Sequence, residues 1–374
     1  MLTFARVDSA TGEMTIAFQI KLPAFNYDLA HAGKGPSHGW SFFTSYNTEE
    51  GNTKLEVNAS QNDKDYIAAI DWRRAEACVA DGKAATVPAR YAHNWIGEDG
   101  VARTEWGREV RMLTPGACPG LVYFLPTPKS PHGVDVAPSG EYIVAGGKLA
   151  AVIPVHSFSR MRKAIADKAF AGEKAGIPIL RYEATVAGEV QNPGLGPLHT
   201  EFDGKGNAYT SMFLSSEIVK WSLEDFTVKD RAPTYYSIGH LMIPGGDSRK
   251  PFGKYVVALN KITKDRYLPT GPELTQSAQL YDISGDRMQL LLDSPTIGEP
   301  HYAQALPADL IRERQLKMYP LMEHRDPWAS KSREDHPGRA AGEHGPRGHD
   351  LGPQPLHARQ DRGHRGRGTR STST

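Results

Sequence analysis

Residues 132–149 read HGVDVAPSGEYIVAGGKL, and their pattern decides the fold. A histidine leads into a short run in which Val134 and Val136 alternate with other residues. A Pro-Ser-Gly turn follows, and then a second run rich in small and β-branched residues. Alternation on both sides of a glycine turn predicts a β-hairpin. The unit recurs as HTEFDGKGNAYTSMFL at residues 199–214 and as HLMIPGGDSRKPFGKYVVALNKI at residues 240–262. A fourth opening, EPHYAQALP at residues 299–307, starts the same way without completing the hairpin. His132, His199, His240 and His301 stand 67, 41 and 61 residues apart, close to one propeller blade or one blade plus a long loop. Corresponding positions of successive blades face one central channel, so one histidine per blade predicts a ring of imidazoles about a common axis.

Working outward, short β-rich runs occupy residues 14–20, 66–70, 120–124, 141–145, 208–213, 254–258 and 288–292, separated by clusters of Gly, Pro, Asp and Ser. This is the pattern of an all-β sandwich, barrel or propeller, and the repeat selects the propeller. Helical periodicity is convincing in few places, best over residues 159–172 (SRMRKAIADKAFAG). A chain of 374 residues with 39% hydrophobic and 23% charged content can bury a sizeable core. Its net charge of +1 gives no electrostatic case for nucleic acid or an anionic membrane. No run approaches about 18 consecutive apolar residues, so no membrane span is expected. Residues 1–10 lack the basic and apolar regions of an export signal. Cys78 and Cys118 have no close partner in sequence and read as two ordinary semi-buried thiols; a single bridge in an oxidising compartment is the other reading.

After Trp328 the chain has no aromatic residue and no Val, Ile or Met. Residues 331–374, mostly Arg, Gly, His, Pro, Asp and Thr, cannot bury enough apolar surface to offset their ordering entropy, and disorder is expected. His336, His344, His349, His357 and His364 invite a metal-binding reading there. A shift of reading frame in a GC-rich coding region is the preferred cause of this composition, testable on the nucleotide sequence. The division expected is an incomplete propeller over residues 1–310, a linker over 311–330, and the tail over 331–374.

Imidazole is the commonest ligand for copper and zinc, yet a lone histidine is more often structural, as expected for His31, His38, His93 and His156. The four repeat histidines differ because each sits in a recurrent blade-edge context, directly after Pro131, Gly239 or Pro300, or after the run 196–198 for His199, turns that fix where a ring points. Composition alone leaves a metal site level with a structural ring.

Longer motifs go further. The segments SPHGVDVAPSGEYIVAGGKL (130–149), GLGPLHTEFDGKGNAYTSMF (194–213), ALNKITKDRYLPTGP (258–272), QLYDISGDRMQLLLDSPT (279–296) and GEPH (298–301), with SYNTEE (45–50), resemble in order the propeller domain of nitrous oxide reductases, over roughly residues 1–310. The resemblance is closer to the Sec-exported branch than to the twin-arginine one. It implies a seven-bladed, all-β propeller in which seven histidines hold a four-copper, sulfide-bridged cluster, with ligand roles falling on His132, His199, His240 and His301. It places Lys261 and Glu299 as a charged pair beside the cluster's open edge, where an ammonium can donate a proton and a carboxylate can tune it. It also implies a calcium site at Tyr46, Glu49 and Asp65, hard oxygen donors suited to Ca²⁺. Ser130 stands where the family often has asparagine.

The departures matter as much. Three cluster histidines and the cupredoxin domain that carries a binuclear copper centre fall outside this sequence, so the resemblance is to a piece of a reductase. The family reaction is two-electron reduction of N₂O to N₂ and water in denitrification, in the periplasm. Its electron donor is a c-type cytochrome or cupredoxin, and the enzyme is a head-to-tail homodimer. A four-copper cluster short of three ligands and its donor domain is expected to be inactive, and strand edges left without a neighbour favour aggregation. Two other readings predict different behaviour: a calcium-dependent propeller hydrolase or lactonase active without copper, and a non-catalytic propeller that presents loops to protein partners.

Overall fold

The computed structural model describes residues 1–45, 47–48, 63–88, 92–96, 99–106, 109–235, 237–261, 276–296, 298–307 and 309. The chain divides into two units, Met1–Arg314 and Gln315–Thr374. The second unit, with the expected tail and most of the expected linker, lies outside the described residues.

Four sheets share one plan, in which four strands pair antiparallel in chain order. The first sheet is Tyr27–Ala32, Trp40–Ser45, Lys64–Asp71 and Val122–Pro128. The second is Asp135–Val136, Tyr142–Val144, Val152–Ser157 and Val186–Gln191. The third is Pro197–Phe202, Asn207–Met212, Glu217–Ser222 and Val228–Pro233. The fourth is Ile238–Met242, Tyr255–Asn260, Ser277–Asp282 and Gln289–Pro295. The first sheet is widened to six strands by the hairpin Phe170–Lys174 and Ile177–Leu180, whose second strand runs parallel to Val122–Pro128. A further four-stranded sheet, ordered Leu2–Val7, Met14–Ile20, Glu109–Leu113 and Ala85–Pro88, and a two-stranded ribbon, Ala92–Ile96 with Ala102–Trp106, complete the strands. Among the described residues no ladder joins one sheet to another.

What holds these sheets together is face-to-face packing, and the period-two alternation of strands supplies both faces. Ile143 faces a core shared with Trp40, Phe42, Ile67 and Leu125 of the first sheet, while its neighbour Val144 faces Phe202, Ala208, Met212 and Trp221 of the third. The third sheet repeats the device. Ala208 and Val219 join the core on one side, and Tyr209 and Ile218 join Ile238, Leu241, Val256, Ala258 and Tyr281 on the other. The first, second and third sheets are thus each sandwiched between two cores, the packing of propeller blades, and the fourth packs on one. The first strands of consecutive sheets also contact one another, so their residues share one central surface. The molecule is all-β and propeller-like, as expected.

Several expectations need correction. Cys78 and Cys118 are joined in a disulfide across 40 residues, not free thiols. Cys78 lies on the helix Trp72–Ala80, which sequence patterning missed because only Ala75 and Cys78 are buried on it. That helix is started by Asp71, whose carboxylate accepts from the Arg74 amide at 3.0 Å. The expected helix over 159–172 covers only Phe158–Ala166, capped by Ser157. Phe170–Lys174 then turns into a strand, because Phe170 packs beside the core of the first two sheets.

Candidate metal centre

His199 and His240 lie within the first strands of the third and fourth sheets, His132 three residues before the first strand of the second, and His301 beyond the last strand of the fourth. All four converge. The His199 and His240 rings stack at 3.7 Å between centroids, His132 meets His199 edge-on at 4.9 Å, and His301 lies 5.0 Å from His240. His132 is 6.5 Å from His240. Imidazoles separated by 41 to 67 residues in sequence thus form one cluster.

Glycines beside the histidines allow this closeness. The Gly133 amide donates to the Leu198 carbonyl at 3.0 Å, and a Cβ on Gly133 would sit 2.1 Å from that oxygen and 2.9 Å from His199 Nδ1. A Cβ on Gly239 would meet Lys261 Cε at 2.0 Å. The His132 turn is anchored from behind. Ser130, with φ +60°, gives its amide to Asp65 at 2.7 Å, and Asp65 also accepts from the Thr48 amide and hydroxyl at 3.0 and 2.9 Å.

Burial, and then the neighbouring His240, His132 and Lys261 side chains, hold the His199 imidazole well below its ordinary range. Burial, with Lys261 and His301 next, brings His240 down to about 3. Both rings are neutral at pH 7 and keep a lone pair. His199 Nε2 and His240 Nδ1 are buried with no hydrogen-bond partner. Leaving a buried polar nitrogen unsatisfied costs about 1–3 kcal/mol, and a metal ion removes that cost. The donor set therefore fits a cation that prefers imidazole.

Lys261 and Glu299 come to the same place. Lys261 Nζ is 3.5 Å from Glu299 Oε1 and 3.4 Å from His301 Nδ1, which is itself 3.1 Å from Glu299 Oε1. Of the three expected calcium residues, Asp65 is fully buried, while Tyr46 and Glu49 lie outside the described residues. Two contacts were not read from the sequence. Asp28 sets a carboxylate oxygen against His132 Nδ1, and Tyr302 meets the His240 ring edge-on at 5.1 Å. Tyr302 was signalled by its place beside His301; nothing in the local pattern marks Asp28.

Residues 231–301, which carry His240, His301, Lys261 and Glu299, match the nitrous oxide reductase propeller repeat. The chain is similar to the nitrous-oxide reductases. It is 30% identical over 333 residues to the nitrous-oxide reductase of Stutzerimonas stutzeri, covering 86% of this chain and 46% of that protein. To the nitrous-oxide reductase of Cupriavidus necator it is 33% identical over 282 residues, covering 72% of this chain and 40% of that protein. The chain thus spans about half the length or less of these relatives. Among solved structures, hydrazine synthase of Kuenenia stuttgartiensis aligns at a TM-score of 0.36 and 12% identity over 75% of this chain and 53% of that one, too distant to carry an argument.

Proposed function

We propose that this chain is the copper-binding propeller region of a nitrous-oxide reductase, with His132, His199, His240 and His301 as four of the cluster ligands. The observation that carries this reading is the convergence of four imidazoles, two of which keep a buried, unpartnered nitrogen. Copper bound there would supply electrons and Lewis-acid positions for N₂O + 2e⁻ + 2H⁺ → N₂ + H₂O. The chain's own residues hold and orient. Asp28 positions the His132 ring, the stacked His199 and His240 set a rigid wall, and Gly133 lets the second and third sheets approach. Lys261 holds a proton at Nζ within reach of His301, and Glu299 compensates its charge.

The rest of the reading follows the relatives. A seven-bladed ring, a tetranuclear copper–sulfide cluster and a homodimer taking electrons from a c-type cytochrome or cupredoxin belong to the proposal for the whole protein. Calcium at Asp65 with Tyr46 and Glu49 is proposed to brace the His132 turn, since Asp65 already holds Ser130. A periplasmic location is supported by the Cys78–Cys118 disulfide, a bond that persists in oxidising compartments. Residues 1–374, tested by themselves, are proposed to bind copper without turning over N₂O.

Metal analysis of the full chain after anaerobic copper reconstitution tests the reading. More than one copper per chain, lost in His199→Ala and His240→Ala, is expected. Calcium without copper would favour the hydrolase reading, and neither metal the interaction propeller. N₂O consumption with reduced viologen would overturn the inactivity claim.

A further inference from the structure

His199 and His240 line a cavity of about 490 Å³, and a second set of chemically distinct side chains lines the same cavity. His31 comes from the first strand of the first sheet, Asp135 from the first strand of the second, Glu201 from the first strand of the third, and Asp247 from the turn after the first strand of the fourth. Four consecutive sheets thus each contribute one group, and three of the four are carboxylates. His31 Nδ1 is 3.6 Å from Asp135 Oδ1, and ligand atoms of His31, Asp135 and Asp247 all lie within 4.8 Å of one another. Ligand atoms bound to one ion at roughly 2.1–2.2 Å lie about 3–4.3 Å apart, so His31 Nδ1 and Asp135 Oδ1 already stand at ligand separation and Asp247 must move inward to join them.

The trio is held in place before any ion arrives. Asp135 Oδ2 accepts from the Thr200 amide at 2.7 Å, which leaves Oδ1 toward His31. The independent sign of a missing ligand is Glu201. Its side chain is 8% exposed, it faces the cavity, and its Oε2 is buried with no hydrogen-bond partner. That oxygen sits where a Cβ on Gly246 would fall, 1.7 Å away, beside Asp247. Lys34 and Arg249 also line the cavity; the Lys34 ammonium donates to the Asp247 backbone carbonyl and stands in the field of Asp247, Asp135 and Glu201, so a cation there competes with it, and Arg249 is exposed at the rim.

We infer that His31, Asp135 and Asp247, with Glu201 completing the set, bind one divalent cation of the Mn²⁺ or Zn²⁺ type in this cavity, separate from the imidazole cluster. One imidazole with several carboxylates suits Mn²⁺, whereas the all-imidazole set suits copper. The site does not depend on the reductase reading, since it rests on these residues alone.

Mn²⁺ titration of the full chain, with free Mn²⁺ read by electron paramagnetic resonance in excess Ca²⁺ to mask hard-oxygen sites, tests it. One Mn²⁺ per chain is expected, retained in the double variant His199→Ala/His240→Ala and weakened at least tenfold in Asp135→Asn/Asp247→Asn. Should that variant fail to fold by circular dichroism, His31→Gln gives the same reading through one neutral substitution. No Mn²⁺ bound to the wild-type chain would overturn the inference and leave Lys34 as the built-in counter-ion. Binding unchanged in the carboxylate variant and in His31→Gln would overturn it equally, as would loss in His199→Ala/His240→Ala alone. Copper binding by the imidazole cluster is unaffected by any of these results, so the two sites stand or fall separately.

Discussion

The Cys78–Cys118 disulfide closes a loop of 40 residues that carries the chain from the helix Trp72–Ala80 through the strand Glu109–Leu113 and back. Constraining the unfolded chain over such a loop contributes about 4 kcal/mol at 25 °C by the chain-entropy relation. Both sulfurs are also buried, Cys78 3% and Cys118 0% exposed, in a core with Phe18, Ile20, Leu113, Leu121 and Phe124. Truncating each to alanine removes a packed atom at roughly 1 kcal/mol apiece. The double variant Cys78→Ala/Cys118→Ala is therefore expected to lose about 4–6 kcal/mol, and reduction of the wild-type chain about 4. Urea unfolding followed by tryptophan fluorescence, on oxidised chain, reduced chain and variant, separates the loop contribution from the packing contribution. If all three unfold within about 1 kcal/mol of one another, the bond does not constrain the fold and the argument from loop closure fails.

Other perturbations separate the histidine supports. Gly133→Ala drives a Cβ into the Leu198 carbonyl and is expected to cost more than about 2 kcal/mol and to reduce copper uptake, measured by thermal melting and metal analysis. Gly239→Ala meets only the flexible Lys261 chain, so stability changes by less than about 1 kcal/mol while Lys261 leaves Glu299; ¹⁵N resonances of the lysine ammonium report that displacement. His156 is fully buried, with Nδ1 3.0 Å from the Thr185 hydroxyl, and burial, with Lys64 second, holds it down to about 3. Folding keeps this ring neutral while the unfolded chain protonates near pH 6.5. Its contribution is full above that pH and is lost as pH falls toward 3, at about 1.4 kcal/mol per unit. The slope of stability against pH between 6 and 4 should be shallower in His156→Gln, and an unchanged slope would refute the assignment. Asp65→Asn weakens three hydrogen bonds to a charged acceptor and is expected to cost about 2–3 kcal/mol in urea unfolding.

Much of this architecture was legible in residues 132–262. The hairpin units became the starts of the second, third and fourth sheets, and the expected strand at 14–20 is Met14–Ile20 itself, because alternation over a glycine turn is a local signal. The convergence of His132, His199, His240 and His301 was legible through their common place in the repeat. What was illegible depends on distant contacts. The Cys78–Cys118 pairing needs the helix Trp72–Ala80 brought against the segment after Leu113, and no spacing rule encodes that. His31 read as an ordinary structural histidine, and nothing in the local pattern marked Asp135 or Asp247. Only the packing of the first, second and fourth sheets about one cavity brings them within 4.8 Å.

Copper K-edge absorption on the anaerobically reconstituted full chain tests the four-histidine centre most directly. Nitrogen scatterers at about 2.0 Å with the outer-shell pattern of imidazole are expected, lost together with the copper in a folded His199→Ala/His240→Ala variant. Copper bound through oxygen alone, or imidazole scattering that survives in that variant, would contradict the assignment of the converging histidines as its ligands.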